Sequence, residues 1–399
     1  MMHAAPDKPD TGYISRTAAS ELHRLLEEYP VVSILGPRQS GKTTLARTEC
    51  PGFSYANLED PEVRSLATGD PRAFFSRFPC PAIIDEAQHQ PQLLSYIQAK
   101  VDEAGKNGMF IITGSNQLRP GEALTQTLAG RVAELTLLPF SLEELGDRIA
   151  GKAREDILFT GFLPRISAHG QEPGRAYRNY LRTYVERDLR TLINVKDLSK
   201  FEIFLQLLAG RTGNQFVASS IASEVGVSYK TVQEWTSVLE ASWIVFRLQP
   251  YFENYGKRIT KAPKLYFYEP GLAIQLLGLD SPERLVRDPL FGALFENMVI
   301  VEAIKARLHR GKNPGLYFFR DSTGTEVDLI IDRRPHPIPV EIKSATTYHP
   351  EFSRSLERFN AWSGSGRQGV VVFGGDLEFR TPELSCINFR STSALVSGL

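Results

Sequence analysis

Two sets of residues in this 399-residue chain have the types and spacing that phosphate chemistry needs. The first is Gly36-Pro37-Arg38-Gln39-Ser40-Gly41-Lys42-Thr43, a G-x-x-x-x-G-K-T loop that follows the apolar run Val31–Leu35 and passes through Thr44 into a helix-forming stretch. Gly36 and Gly41 let the backbone bend so that successive N–H groups face phosphate oxygens, and the helix N-terminus adds partial positive charge at the same spot. Lys42 is expected to reach the β- and γ-phosphates of a nucleoside triphosphate, and the Thr43 hydroxyl to ligate Mg2+. About 40 residues further on, Ala82-Ile83-Ile84 delivers Asp85 and Glu86 at the end of an apolar strand. Asp85 is expected beside the metal, opposite Thr43, and Glu86 to act as general base toward the attacking water. Taken alone, Asp-Glu after a strand also fits a solvated helix N-terminus; the loop upstream favours the catalytic pair.

The second set is Glu296, Asp328, Glu341 and Lys343. Leu294–Ile300 reads as a helix, Tyr317–Arg320 and Thr325–Ile331 as a hairpin, and Pro339–Ser344 as a third strand. Alternate residues on a strand share a face, so Glu341 and Lys343 point together. Asp328 and Glu341 could then hold Mg2+ while Lys343 orients a water against a phosphodiester, with Glu296 as accessory acid. An exposed Glu-x-Lys on an antiparallel strand is also an ordinary solvated face. The apolar residues around each acid and the helix-hairpin-strand order favour the site. His309, His336, His349 and Cys386 have no zinc spacing.

Smaller candidates surround the first set. Asn116 or Ser115, after Ile111-Ile112-Thr113-Gly114, would orient the hydrolytic water, although a plain turn uses the same residues. Arg131, after Leu128-Ala129-Gly130, would stabilise γ-phosphate charge in its own subunit or a neighbouring one, or else sit in a surface ion pair. Arg165 is a weaker candidate for the same work.

These residues need a frame to hold them. Apolar runs at Val31–Leu35, Ser54–Leu58, Ala82–Asp85, Met109–Thr113 and Val132–Leu138 alternate with helical stretches, which predicts a parallel α/β sheet over 15–165 behind an N-terminal tail, 1–14. Between 166 and 270 the pattern changes to short helices. Ser219–Val225, Gly226 and a helix capped by Ser228 form a helix-turn-helix pattern. Trp243–Leu248 and Lys264–Tyr268 follow as a strand pair whose connection carries Lys257, Arg258, Lys261 and Lys264. This predicts a winged helix. DNA would be met by Tyr229, Lys230, Thr231 and Gln233 together with Lys257 and Arg258. Winged helices also dock proteins, and Glu234 and Glu240 dilute the basic character of the second helix. Residues 271–399 hold the second set.

Composition narrows the classes. Hydrophobic residues are 42% and charged residues 23%, ordinary for a globular chain. Lys+Arg and Asp+Glu both total 46, so any basic surface must be local. Three scattered cysteines suit a reducing compartment. No apolar run approaches the ~20 residues that span a bilayer, and the polar start lacks a signal-peptide core. A cytoplasmic location without membrane contact is expected.

Together the motifs resemble the AAA+-like ATPases that pair an AAA_14 module with a DUF4143 module. The matching residues are Gly36–Thr43, Ile83–Gln88, Thr113–Asn116, Leu128–Arg131, Leu138-Pro139-Phe140-Ser141 with Glu143 and Glu144, Gly161–Arg165 and Tyr184–Leu189. The resemblance runs from about residue 13 to residue 376. It implies a P-loop (AAA+/ASCE-like) fold of the additional-strand type, ATP as nucleotide, and a C-terminal module similar to the PD-(D/E)xK restriction-endonuclease-like fold. Two functions stay open. One is an ATP-driven enzyme that binds and cleaves DNA; the other is an ATP-dependent switch that binds a protein or DNA partner through a silent nuclease-like domain. Arg131 acting between subunits would require a homo-oligomer.

Overall fold

The computed structural model describes residues 13–114, 128–183, 197–251, 262–321, 324–364, 366 and 368–398. They divide into two units. One holds the chain up to Phe140 with Leu163–Gln171 and His309–Gly311; the other holds Ser141–Phe162, Glu172–Leu308 and Lys312 onward.

In the first unit, β1 (Val31–Leu35), β2 (Ser54–Asn57), β3 (Ala82–Asp85), β4 (Phe110–Gly114) and β5 (Val132–Thr136) form one sheet in the order β2-β3-β4-β1-β5. Every pairing is parallel. The period of two sends Val32, Ile34, Ile83, Ile111 and Leu135 to one face, against Leu22 and Leu25 of α1 (Ala18–Glu28) and Leu45 of α2 (Lys42–Glu49). Val31, Ile84, Phe110 and Ile112 go to the other face, against Phe74, Leu93 and Ile97. Strands buried on both faces need nearly continuous apolar runs, which is why the inner strands β1, β3 and β4 read so plainly in the sequence. The consequence for chemistry is topological. β4 separates β1 from β3, so the chain leaves β1 and β3 on either side of it and opens a crevice above their C-terminal ends.

In the second unit, α3 (Leu198–Gly210), α4 (Ala218–Val225) and α5 (Tyr229–Ala241) form the three-helix pattern. Gly226 turns between the last two at φ 71°, and the Ser228 hydroxyl caps α5 by accepting from Thr231 N–H at 3.0 Å. Trp235 packs edge-on to Phe201, with ring centroids 5.1 Å apart. β6 (Val245–Leu248) pairs antiparallel with β7 (Lys264–Phe267), and Gln215 bridges to Lys264 on the outer side. Then come α6 (Phe291–Leu308), β8 (Leu316–Arg320), β9 (Glu326–Ile331), β10 (Ile338–Lys343), α7 (Arg354–Ser363), β11 (Gly369–Phe373), β12 (Phe379–Arg380) and β13 (Leu384–Asn388). The six strands are ordered β12-β13-β11-β10-β9-β8. β8, β9 and β10 form an antiparallel meander, and β11 lies parallel to β10 after the α7 crossover. Among the described residues no helix is long and apolar enough to cross a membrane.

One buried side chain ties β7 to α6. Asn297 donates to Phe267 O at 2.7 Å and accepts from Phe267 N–H at 2.9 Å, with no exposed surface. It thereby holds Lys264 and Tyr266 beside its neighbour Glu296. Replacing Asn297 by Ala leaves both backbone groups of Phe267 unsatisfied in the core. It is expected to cost about 2–4 kcal/mol in urea unfolding, whereas Asn297→Ala at wild-type stability would show the clip to be idle.

Candidate functional site

The phosphate-type loop is built as its glycines require. Gly36 has φ 147°, and a Cβ there would come within 2.1 Å of Leu137 O. Gly41 has φ 95° at the start of α2. Buried Arg16, unseen in the sequence reading, fastens the loop from beneath by donating to Ser40 O at 2.7 Å and Leu138 O at 2.6 Å. Lys42 is buried, and its ammonium donates to the loop's own carbonyls, Gly36 O at 3.0 Å and Pro37 O at 2.8 Å. Burial pulls the Lys42 pKa down to about 8, against the opposing pull of Glu86 and Asp85. A triphosphate suits this loop: a buried lysine stands in it, and among the described residues the buried Ser40 hydroxyl has no partner. Beside Gly41, Thr44 and Thr48 lies a cavity of about 130 Å3 walled by Tyr13, Arg16, Phe140, Pro164 and His169.

Across the crevice Asp85 receives three hydroxyls. Thr43 lies 3.0 and 2.9 Å from its two carboxylate oxygens. Tyr55 donates to Oδ2 at 2.7 Å, and Thr113 donates to Oδ1. The Thr43–Asp85 pair is a hard oxygen donor set of the kind Mg2+ takes. Glu86 turns sharply off β3 in the left-handed region, φ 54° and ψ 48°. Its N–H donates to Thr113 Oγ1 at 3.2 Å, and its carboxylate accepts from Gln88 Nε2. Glu59 and His89 lie close by, with ligand atoms of all three residues within 4.8 Å of one another.

Other sequence candidates fare differently. Asn116 and Ser115 lie outside the described residues. Arg131 requires correction. It precedes β5 at the N-terminal edge of the sheet, where its carbonyl accepts from Val31 N–H at 3.2 Å, one full strand length from the loop that follows Leu35. Its guanidinium grips Asp102 with contacts of 2.5 and 3.0 Å. It therefore cannot reach a phosphate held by its own subunit's loop. Arg165 is exposed, on the short helix Pro164–Ser167 whose first residue lies beside Gly41.

In the second unit the structure brings Glu296, Asp328, Glu341 and Lys343 together. Extending the β9–β10 register by one residue from Leu329↔Val340 sets Asp328 opposite Glu341 on one face. Asp328 accepts from Ile342 N–H at 2.8 Å, and Lys343 Nζ lies 2.5 Å from Glu341 and 4.0 Å from Asp328. Ser355 of α7 donates to Glu341 at 2.6 Å. Burial and the neighbouring Asp328 push Glu296 and Glu341 each up to about 7. Lys264 also requires correction. It is not part of an exposed basic loop. It is buried, 3.1 Å from Glu296 and 2.5 Å from Glu326, and Tyr266 two residues on donates to Glu296. Burial works against its charge, but Glu296, Asp328 and Glu326 together outweigh that and hold its pKa above the ordinary lysine value. Alternation along Lys264-Leu265-Tyr266 marked one polar face, but no local signal tied Glu296 to it.

On α5, Tyr229 is 58% exposed and accepts from Gln233 Nε2 at 2.9 Å. Lys230 lies 3.7 Å from Glu234. Lys257, Arg258 and Lys261 lie outside the described residues.

A family model described as an AAA domain, AAA_14, matches residues 28–146. Two described as domains of unknown function match residues 151–283 (DUF8612) and 291–391 (DUF4143). The uncharacterized protein Rv2008c of Mycobacterium tuberculosis is 33% identical over 345 residues, 86% of this chain and 76% of its own length. The uncharacterized protein Mb2031c of Mycobacterium bovis matches to the same extent. Among solved structures, the Walker-type ATPase paby2304 of Pyrococcus abyssi aligns over 65% of this chain and 94% of its own, at 17% identity and a TM-score of 0.41.

The buried lysine makes nucleotide capture depend on pH. Phosphate needs the ammonium form, so with Lys42 near 8 affinity is constant below that value and falls as pH rises through it. A fluorescent-nucleotide titration should show weakening that approaches tenfold per pH unit above about 8. A flat profile to about pH 9.5 would refute the role of Lys42 charge.

Proposed function

The chain belongs to the AAA_14–DUF4143 family of AAA-type P-loop ATPases, and from that premise we propose that it hydrolyses ATP with Mg2+ at the Gly36–Thr43 loop and couples this to DNA. The observation that carries the reading is the Thr43 hydroxyl within 3.0 Å of both Asp85 oxygens, with Lys42 buried alongside and Glu86 next in the chain. In this reading the loop N–H groups from Arg38 to Thr44 and the Lys42 ammonium take up the β- and γ-phosphate charge. Thr43 and Asp85 hold Mg2+, which when bound withdraws charge from the phosphate oxygens. Glu86 removes a proton from the water that attacks γ-phosphorus; the bond to the bridging oxygen breaks, leaving ADP and inorganic phosphate. The cavity between Thr44, Arg16 and Phe140 is a suitable seat for the base. Arg131, engaged with Asp102, would act only on a neighbouring subunit in a homo-oligomer.

The helix-turn-helix and its hairpin would carry the DNA contact through the exposed Tyr229 and Lys230 of α5, with Lys257 and Arg258 as further candidates. A second reading is favoured by the convergence of Asp328, Glu341 and Lys343. These residues suit a Mg2+-dependent phosphodiester cleavage site in which Lys343 positions the water, with Glu296 as the accessory acid.

Steady-state assays test the first reading. Lys42→Ala is expected to abolish nucleotide binding. Glu86→Gln should keep ATP affinity while turnover drops by about 100-fold or more; wild-type turnover in that variant would remove Glu86 from the mechanism. For the partner, the wild-type chain should bind short duplex DNA at about 50 mM salt and release it as salt rises. No binding at low salt would leave a protein partner as the alternative. Cleavage of supercoiled DNA with Mg2+ or Mn2+ that disappears in Lys343→Ala would establish the second site, and its absence in the wild type would make that module a silent one.

A further inference from the structure

We infer that Thr113 is a positioning residue for hydrolysis, its hydroxyl locking the Asp85–Glu86 peptide so that the metal carboxylate and the general base keep a fixed relation. The inference rests on the reading of Glu86 as that base. Thr113 is fully buried near the C-terminal end of β4, the strand between β1 and β3. Its backbone belongs to the pairing with β1, opposite Ile34, while the ladder between β3 and β4 ends at Ile84↔Ile112. Beyond that point β3 is held on its β2 side alone, where Asn57 pairs with Asp85 and the Asp85 carbonyl accepts from Leu58 N–H at 3.1 Å. The Thr113 side chain takes over, giving its proton to Asp85 Oδ1 and accepting the Glu86 N–H at 3.2 Å. A hydroxyl is the one small group that can donate to a carboxylate and accept from a backbone amide at once.

The lock has something to hold. Glu86 is one of three non-glycine residues with positive φ among those described, and a left-handed conformation costs an ordinary residue about 1–2 kcal/mol. Without an acceptor for its N–H, the turn that brings the Glu86 carboxylate off β3 loses this hydrogen bond to β4. Tyr55 supplies the contrast. It donates to Asp85 at 2.7 Å but makes no hydrogen bond to Glu86. Thr113 should thus govern the chemical step, and Tyr55 only the metal-binding carboxylate.

Steady-state ATPase kinetics on the full chain, with Mg2+ titrations and fluorescent-ADP binding, separate these roles. Thr113→Val should lower kcat by about 10–100-fold at saturating ATP and Mg2+, with KM for ATP changed less than about twofold. Thr113→Ser, which keeps the hydroxyl, should restore kcat to within about threefold of wild type. Tyr55→Phe should raise the Mg2+ concentration required while recovering wild-type kcat at saturation. Wild-type kcat in Thr113→Val, or a Thr113→Ser as slow as Thr113→Val, overturns the proposal. Should Thr113→Val fail to bind ADP, Thr113→Ser against Thr113→Ala gives the same comparison, and equal kcat in that pair overturns it. Failure of the underlying reading is separate: it would be Glu86→Gln hydrolysing ATP like the wild type, whatever the Thr113 variants do.

Discussion

The first unit depends on one strand standing between two others. Because β4 separates β1 from β3, the phosphate loop and the Asp85–Glu86 turn leave the sheet from strands that do not touch. Any reaction needing both must bridge that gap with side chains. The bridge is the carboxylate of Asp85, reached by Thr43 from α2, by Tyr55 from β2 and by Thr113 from β4. Three neutral hydroxyls on one carboxylate satisfy its lone pairs without adding charge. The site therefore keeps its negative potential for a cation, and Lys42 is the ammonium within reach for phosphate.

The second unit meets the same need by different means. Glu296, Glu326, Asp328 and Glu341 crowd one face of a buried sheet, and the structure answers with ammonium groups as well as hydroxyls. Lys264 reaches Glu296 and Glu326 from β7, and Lys343 reaches Glu341 from the neighbouring position on its own strand. Burying charges costs several kcal/mol per ion unless partners are close and well aligned. The short contacts around Lys264 meet that demand, and removing it would leave Glu296 of α6 and Glu326 of β9 without the ammonium they share. Burial and the neighbouring Asp328 push Glu296 and Glu341 up to about 7, so both carboxyls hold their protons more tightly than free carboxylates do.

How much of this the sequence disclosed follows from how far each interaction reaches. The inner strands β1, β3 and β4 were legible because burial on both faces keeps them almost wholly apolar, and Ser228, Gly226 and the loop glycines act within a few residues of themselves. Glu341 and Lys343 were legible as a pair because two residues on one strand must share a face. For Arg131 the choice between γ-phosphate and a surface ion pair stayed open because its motif says nothing about which end of the sheet it occupies; the parallel pairing with β1 puts it at the N-terminal edge, in an ion pair with Asp102. Lys264 was misjudged because a lysine near a basic loop reads as solvated unless its partners are known. Those partners stand 32 and 62 positions further along the chain, on α6 and β9. Thr113 lay inside a recognised motif, yet its work depends on where the β3–β4 ladder stops, which only the fold decides.

The state of Lys42 gives the phosphate loop its logic. Its ammonium is spent on two carbonyls of the very loop it serves, Gly36 O and Pro37 O, in a site dry enough to pull its pKa down to about 8. Those two hydrogen bonds keep a buried charge from standing alone, which would be costly. They are bonds to neutral acceptors, however, and a phosphate oxygen is a stronger one. An arriving triphosphate exchanges two neutral acceptors for charged ones and brings counter-charge into the place where desolvation had been working against the lysine. Affinity then comes from the difference between the two sets of bonds. The same burial that weakens the free lysine's hold on its proton is what makes the exchange favourable.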